Sequence, residues 1–365
     1  MLTPTYKITP LPPETNFDTV PVLKALARAN RVLAELKGRA ASIPNQTILI
    51  DTLALQEAKA SSEIENIVTT QDDLFQAGLY PGGPGSAAAK EVALYRDALK
   101  LGFDRLRNSD GLITNATLIA MFRLLKQRDG GFRETPGTAL RNETSGEVVF
   151  VPPQDRNQIA SLMSDLEDYL NGDDRDRLDP LIRMALIHHQ FESIHPFPDG
   201  NGRIGRILNV LFLAKTGLLE IPILYLSRHI TQNKDVYYHL LQEVRTEGAW
   251  EPWVLFMLEA VAETSESTLV LVEGIRTQMQ DMKTRLRNNL PKLYSQDLLN
   301  NLFRHPYTRI DFVVEELDVS RQTAAKYLDE LAAHGLVEKI QVGRNNYYIN
   351  SALVRLFLDV AGGAK

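Results

Sequence analysis

HPFPDGNGRIGR, residues 195–206, is the stretch whose reading decides the fold. One histidine, one carboxylate, a Gly-Asn-Gly turn and two arginines share twelve positions. The segment that follows, ILNVLFLAKTGL, is apolar almost all round, as in a buried helix. Gly200, Asn201 and Gly202 therefore stand at a helix N-terminus, where unpaired backbone N–H groups and the helix dipole make a seat for phosphate. Arg203 and Arg206, three positions apart, lie on one side of the first turn, and two guanidinium forks beside such a seat suit a polyphosphate. Asp199 is a single hard oxygen ligand of the kind that shares Mg²⁺ with nucleotide phosphates. His195 has the residue type of a general base near neutral pH. Singly, each has a bland reading: a hydrogen-bonding histidine before proline, an Asp-Gly turn, a surface pair of arginines. Their joint spacing points to phosphoryl or nucleotidyl transfer, in which positioning and electrostatics supply most of the catalysis.

The chain has 365 residues, enough for more than one compact unit. A net charge of −6 and a pI near 5.7 argue against overall attraction to nucleic acid or anionic lipid, so any such binding must be local. The absence of cysteine excludes disulfides, thiol catalysis and thiolate metal sites, and suits a reducing compartment. The start, MLTPTYKITPLPPETNF, lacks the basic opening and apolar run of a signal peptide, and no run of about 18 apolar residues suggests a membrane span. A cytoplasmic location is expected.

Residues 1–19, rich in proline and threonine, read as an extended arm. Apolar residues at helical spacing predict helices over Val20–Leu36, Thr47–Thr69, Ala89–Leu106, Thr117–Lys126, Asn157–Leu170 and Asp179–Phe191, then over 231–246 and 250–287. Glycine and proline mark 80–88 as a loop. Between Arg128 and Pro153, turn residues and the β-prone VVFV predict a short β-hairpin or flap in a mainly α domain. A different order follows near Leu290. Helices over Ser295–Phe303, Ile310–Leu317 and Arg321–His334 precede two strands joined by a turn at 343–346, the order of a winged helix-turn-helix. The expected division is an N-terminal helical region (1–110), a core (111–265), a helical linker (266–289) and the winged-helix-like unit (290–365). Residues 290–350 hold seven Lys or Arg against eight Asp or Glu, whereas strong binding to DNA phosphates needs a basic face. Arg321, Gln322, Lys326, Lys339 and Arg344 would form only a small local patch, and a unit that positions protein targets or dimerises fits as well.

HQFESIHPFPDGNGRIGR resembles the signature of Fic-domain proteins, HPFx(D/E)GNGRxxR, and meets every fixed position. GFRETPGTAL and VVFVPP are similar to that family's substrate-holding flap, so the resemblance covers roughly residues 45–265, and winged-helix-like units accompany many longer members. It implies a Fic-type helical bundle and protein adenylylation: AMP moves from Mg-ATP to a side-chain hydroxyl of a target protein and pyrophosphate leaves. On that resemblance His195 takes the hydroxyl proton and Asp199 holds Mg²⁺. Gly200, Asn201 and Gly202 form the anion hole, Arg203 supports it, and Arg206 meets the γ-phosphate. Gly137, Thr138, Ala139 and Leu140 fall where the flap aligns a target segment as an added strand, in a flap lengthened by RNETSGE. Tyr237, Tyr238 and Arg245 fall where the adenosine pocket is lined, although an aromatic pair on a helix is as readily core.

The upstream string SSEIEN resembles the family's inhibitory motif (S/T)xxxE(G/N), met by Ser61, Glu65 and Asn66. Glu65 paired with Arg206 would occupy the guanidinium that the γ-phosphate needs; without the resemblance, a solvated helix face would explain these residues. Some members also remove AMP with the same glutamate. Self-modification and a homodimer are further partners to expect. The rival reading is a DNA-binding regulator whose Fic part senses nucleotide, and within the enzyme class transfer of phosphate, UMP or phosphocholine stands nearest.

Overall fold

A computed structural model describes residues 6–70, 86–141, 146–172, 177–342 and 345–362. Helices dominate them. α1 (Val20–Ala41) starts where Thr19 accepts a hydrogen bond from the Val22 N–H and a proline occupies the first turn, where its missing N–H is no loss. It lies along α10 (Trp250–Asn289), pinned by Arg28 to Glu259 (2.5 Å) and Glu266 (3.1 Å). α10 runs unbroken through residue 265, where the sequence suggests a boundary.

α2 (Thr47–Ile64) was expected to reach Thr69 and stops five residues earlier, because Asn66 turns into the left-handed region (φ 59°), which asparagine tolerates better than most residues. α2 is wedged between α3 (Ala87–Asn108) and α8 (Ser227–Gln232). Buried Glu57 ties the three together, accepting from the Tyr95 hydroxyl on α3 (3.0 Å) and the Ser227 N–H on α8 (2.9 Å). The helix expected over 231–246 is two, α8 and α9 (Lys234–Glu247), divided at Asn233, whose side-chain amide donates to the His229 carbonyl in competition with the backbone.

The centre is α6 (Pro180–Ile194) and α7 (Asn201–Lys215), joined by the 195–200 loop and buried on nearly every face. α4 (Asn115–Lys126) and α5 (Arg156–Asn171) flank them, and the Trp253 indole donates to the Ala185 carbonyl from α10 (2.8 Å). The expected flap is a two-stranded antiparallel pair, β1 (Leu140–Arg141) with β2 (Val148–Phe150), and its tip at 142–145 lies outside the described residues.

Beyond α10 come α11 (Gln296–Arg304), α12 (Ile310–Leu317), α13 (Arg321–Ala333) and the ribbon β4 (Glu338–Val342) and β5 (Asn345–Ile349), in the order expected. Two elements were not anticipated: β3 (Tyr307–Thr308), which pairs with β5, and α14 (Ser351–Gly362), which packs back on α10. This unit docks on α2 through charge: Asp51 is bound by Lys100 and by Arg304 of α11 (2.5 Å), which also reaches Glu316 (3.0 Å). The small basic patch is partly neutralised, with Arg321 paired to Asp311 and Lys339 to Asp329 (2.7 Å); Arg344 lies outside the described residues. Among the described residues no helix is long and apolar enough to cross a membrane.

Candidate active site

His195 ends α6 in the left-handed region (φ 48°, ψ 58°), a conformation that costs a non-glycine residue about 1–2 kcal/mol and must be held from outside. Arg133, 3% exposed, supplies the hold: it donates to the carbonyls of His195 (2.8 Å), Ile194 (3.4 Å) and Pro153, and its own N–H bonds the Pro196 carbonyl (2.7 Å). Flap and loop are thus clamped by one side chain. Burial, then the charges of Arg133 and Arg245, push the His195 imidazole down to about 4, against a smaller opposite pull from Glu65. The ring is therefore neutral at pH 7.

The loop closes on itself through Asn201, whose side chain accepts from the Phe197 N–H and donates to the Phe197 carbonyl, both at 2.8 Å. Asn201 therefore shapes the turn with its side chain, at the first position of α7. Gly200 caps α7 at φ 78° with no side-chain cap, which leaves the first N–H groups of the helix open. Arg203 is 3% exposed, pairs with Glu91 (2.6 Å), and has a buried Nε without an acceptor. Asp199 pairs with Lys126 (2.5 Å). Burial works against its charge, but Lys126 and then Arg203 prevail and hold the carboxyl below the usual range. Among the described residues no three His, Asp or Glu side chains gather into a metal site.

Arg206, 1% exposed, meets α2. Its Nε donates to Ser61 Oγ (2.7 Å), and its Nη2 donates to the Ser61 carbonyl (2.9 Å) and to Glu65 Oε1 (2.8 Å). Glu57, Ser61 and Glu65 repeat every four positions and so share the face of α2 turned to this guanidinium. Burial opposes the Glu65 charge, yet Arg206, then Arg203 and His195, keep the carboxyl below its ordinary value. Gly202 permits the approach, because a Cβ there would collide with Glu65 Oε1. Asn66 turns outward and accepts from Lys234 (3.2 Å).

These groups open into a cavity of about 580 Å³ lined by Glu65, His195, Gly202 and Arg206 on one side, flap residues Leu140 and Phe150 on another, and α9 on a third. Tyr237 is 1% exposed, with its hydroxyl on His188 Nε2 (2.9 Å), and so backs the wall; Tyr238, 45% exposed, presents its ring. Arg245 stacks on Phe150 (3.9 Å) and donates to Ser193 Oγ (3.0 Å), linking α9 to the flap. In the flap, the Gly137 N–H donates to Gln154 Oε1 (2.7 Å) and the Thr138 carbonyl accepts from Gln154 Nε2 (3.0 Å), so those two groups are already paired. Leu140 is paired with Phe150, and Ala139 lies between them without a regular pairing of its own. Arg133, Lys126, Glu57 and Glu192 were not anticipated. Glu192 is the one acid of α6, a helix buried on nearly every face, and burial pushes its carboxyl up to about 7.

Three family models match consecutive stretches: Fic/DOC family N-terminal over 23–104, Fic/DOC family over 112–213, and protein adenylyltransferase SoFic-like C-terminal domain over 278–353. The chain belongs to the Fic/DOC family. Protein adenylyltransferase Fic of Drosophila willistoni is 36% identical over 151 residues, which is 40% of this chain and 29% of that protein; the Drosophila melanogaster protein is 34% identical over 119 residues, 33% and 22%. The chain thus spans less than a third of the length of these curated relatives. A Fic family protein from Desulfovibrio desulfuricans shares the fold along most of its length (TM-score 0.56, 20% identity, 95% of this chain and 98% of that one). Fic-1 from C. elegans does so in part (0.53, 21%, 70% and 74%).

Proposed function

We propose that the chain transfers AMP from Mg-ATP to a hydroxyl of a protein target and that Glu65 holds it inactive. The observation that carries this is the open, glycine-capped N-terminus of α7 with two buried arginines beside it and a neutral His195 on the same cavity. The N–H groups and Arg203 would seat the α- and β-phosphates, and Arg206 the γ-phosphate. The target oxygen bonds the α-phosphorus, its proton passes to His195, and the bond to pyrophosphate breaks with the developing charge facing those donors. Asp199, kept ionised by Lys126, would hold a Mg²⁺ whose charge offsets that of the leaving pyrophosphate. A target strand would add along the outer edge of β1, since β2 occupies the inner edge.

With Arg206 bound by Glu65, the γ-phosphate has no fork to meet. Removal of AMP by the same glutamate rests on the resemblance alone. The neutralised patch at Arg321 and Lys339 favours a protein-positioning role for the C-terminal unit over DNA binding. Incubation of a lysate with α-labelled ATP tests the proposal. Label should enter protein with Glu65→Gly and not with Glu65→Gly/His195→Ala; equal label in both would refute it.

A further inference from the structure

Two polar groups in the cavity wall have no part in the phosphate chemistry. Glu192, on α6 one turn before His195, is 7% exposed and lines the cavity. Its Oε1 has no hydrogen-bond donor among the described residues, and Arg245, whose charge acts on the carboxyl, bonds Ser193 and stacks on Phe150. The carboxyl is closely packed, because a Cβ on Gly205 of α7 would come within 2.7 Å of Oε1. Gln242 on α9, which lines the same cavity, also has a buried Oε1 with no donor among the described residues. It stands one turn after Tyr238, on the same side of the helix.

An unmet buried acceptor costs about 1–3 kcal/mol, so two in one cavity mark a site built for a ligand that donates. The phosphates of a nucleotide only accept, and above about pH 7, where the Glu192 carboxyl is ionised, it would repel them. Its nucleoside half carries the donors: ribose hydroxyls and, on adenine, an exocyclic amine. Glu192 packs on Gly205, three residues beyond Gly202 on the helix whose start would seat the phosphates, whereas Gln242 belongs to the helix that carries the exposed ring of Tyr238. We propose that Glu192 accepts a hydrogen bond from a ribose hydroxyl and Gln242 one from the exocyclic amine of the base, so that these two side chains set nucleoside specificity. This rests on the nucleotide reading of the site.

Calorimetric binding of ATP, 2′-deoxy-ATP, 3′-deoxy-ATP and purine riboside triphosphate to Glu65→Gly protein tests it. The Glu65→Gly parent should favour ATP over at least one deoxy nucleotide, and over the analogue lacking the amine, by about tenfold or more. Glu192→Ala should erase the ribose preference and keep the preference for the amine; Gln242→Ala should do the reverse. If the alanine variant at 192 does not fold, Glu192→Met keeps the bulk without the acceptor and should behave as stated for alanine. Full ribose discrimination in a folded Glu192 variant would overturn the assignment of Glu192, and full amine discrimination in Gln242→Ala that of Gln242. A parent that binds ATP with no discrimination would overturn both, while a parent that binds no ATP would sink the nucleotide reading itself.

Discussion

Replacing Glu65 with glycine should raise AMP transfer by about 10- to 100-fold. Arg206 makes three hydrogen bonds to α2 and its C-cap, two to Ser61 and one to Glu65, and only the last brings an opposite charge. Removing the carboxylate leaves the Ser61 bonds in place and frees the one Nη2 N–H that had bonded Glu65 for a γ-phosphate. A hydrogen bond between charged groups is worth about 1.5–3 kcal/mol, and about 1.4 kcal/mol corresponds to a factor of ten, which sets the range. Glu65 follows the last residue of α2, so the substitution breaks no helix. Its side chain is 34% exposed, so water can reach the freed guanidinium and the loss of stability should be near the low end for a broken pair, about 1–2 kcal/mol. Initial rates of label transfer from α-labelled ATP, with melting curves on the same samples, measure both effects. Ser61→Ala should release the brake less, about threefold, because the Ser61 carbonyl still accepts from Arg206. Equal rates for the parent and a folded Glu65→Gly protein would refute the reasoning.

The rate of transfer should not fall as pH drops through 6.5, because the His195 imidazole is pushed down to about 4; its acid limb should appear only between about pH 4 and 5 in a pH–rate profile. Stability should follow the opposite course. His188 (down to about 3) and His195 are depressed on folding, so the unfolded chain takes up protons first as pH falls below 6.5, and each should cost about 2 kcal/mol by pH 5, visible as a lower Tm. Arg133→Ala strips the donors from three carbonyls around the 195–200 loop and the flap, and should lower stability by about 2–4 kcal/mol and transfer by more than tenfold on the Glu65→Gly background, read by melting and single-turnover rates. Asp51→Ala leaves Lys100 without this partner and Arg304 with Glu316 alone, and should loosen α11 from α2, giving faster amide exchange in α11 and a loss of about 1–3 kcal/mol.

The helical bundle was legible because apolar spacing is a local signal, and the glycine-capped helix start with its two arginines because its parts are contiguous from His195 to Arg206. The flap was legible from its turn residues and VVFV. The Glu65–Arg206 contact joins residues 141 positions apart, and only the resemblance to a known motif suggested it. Arg133, Lys126 and Glu57 escaped because a side chain that reaches across the fold to carbonyls or a distant carboxylate leaves no trace in its own neighbourhood. Glu192 escaped as well, because the expected helix ended at Phe191 and the burial of α6 over 181–194 shows only in the fold. The early end of α2 and the break at Asn233 turned on single asparagines, which periodicity over a longer window averages away.

The central claim is that the transferred group comes from the α-phosphorus and that His195 accepts the proton. Glu65→Gly protein incubated in parallel with ATP labelled at the α- or the γ-phosphate, with and without His195→Ala, tests it directly. The account predicts protein-bound label from the α-position only, released pyrophosphate carrying the γ-label, and neither without His195. Protein-bound γ-label, or α-label that persists in the His195 variant, would contradict it.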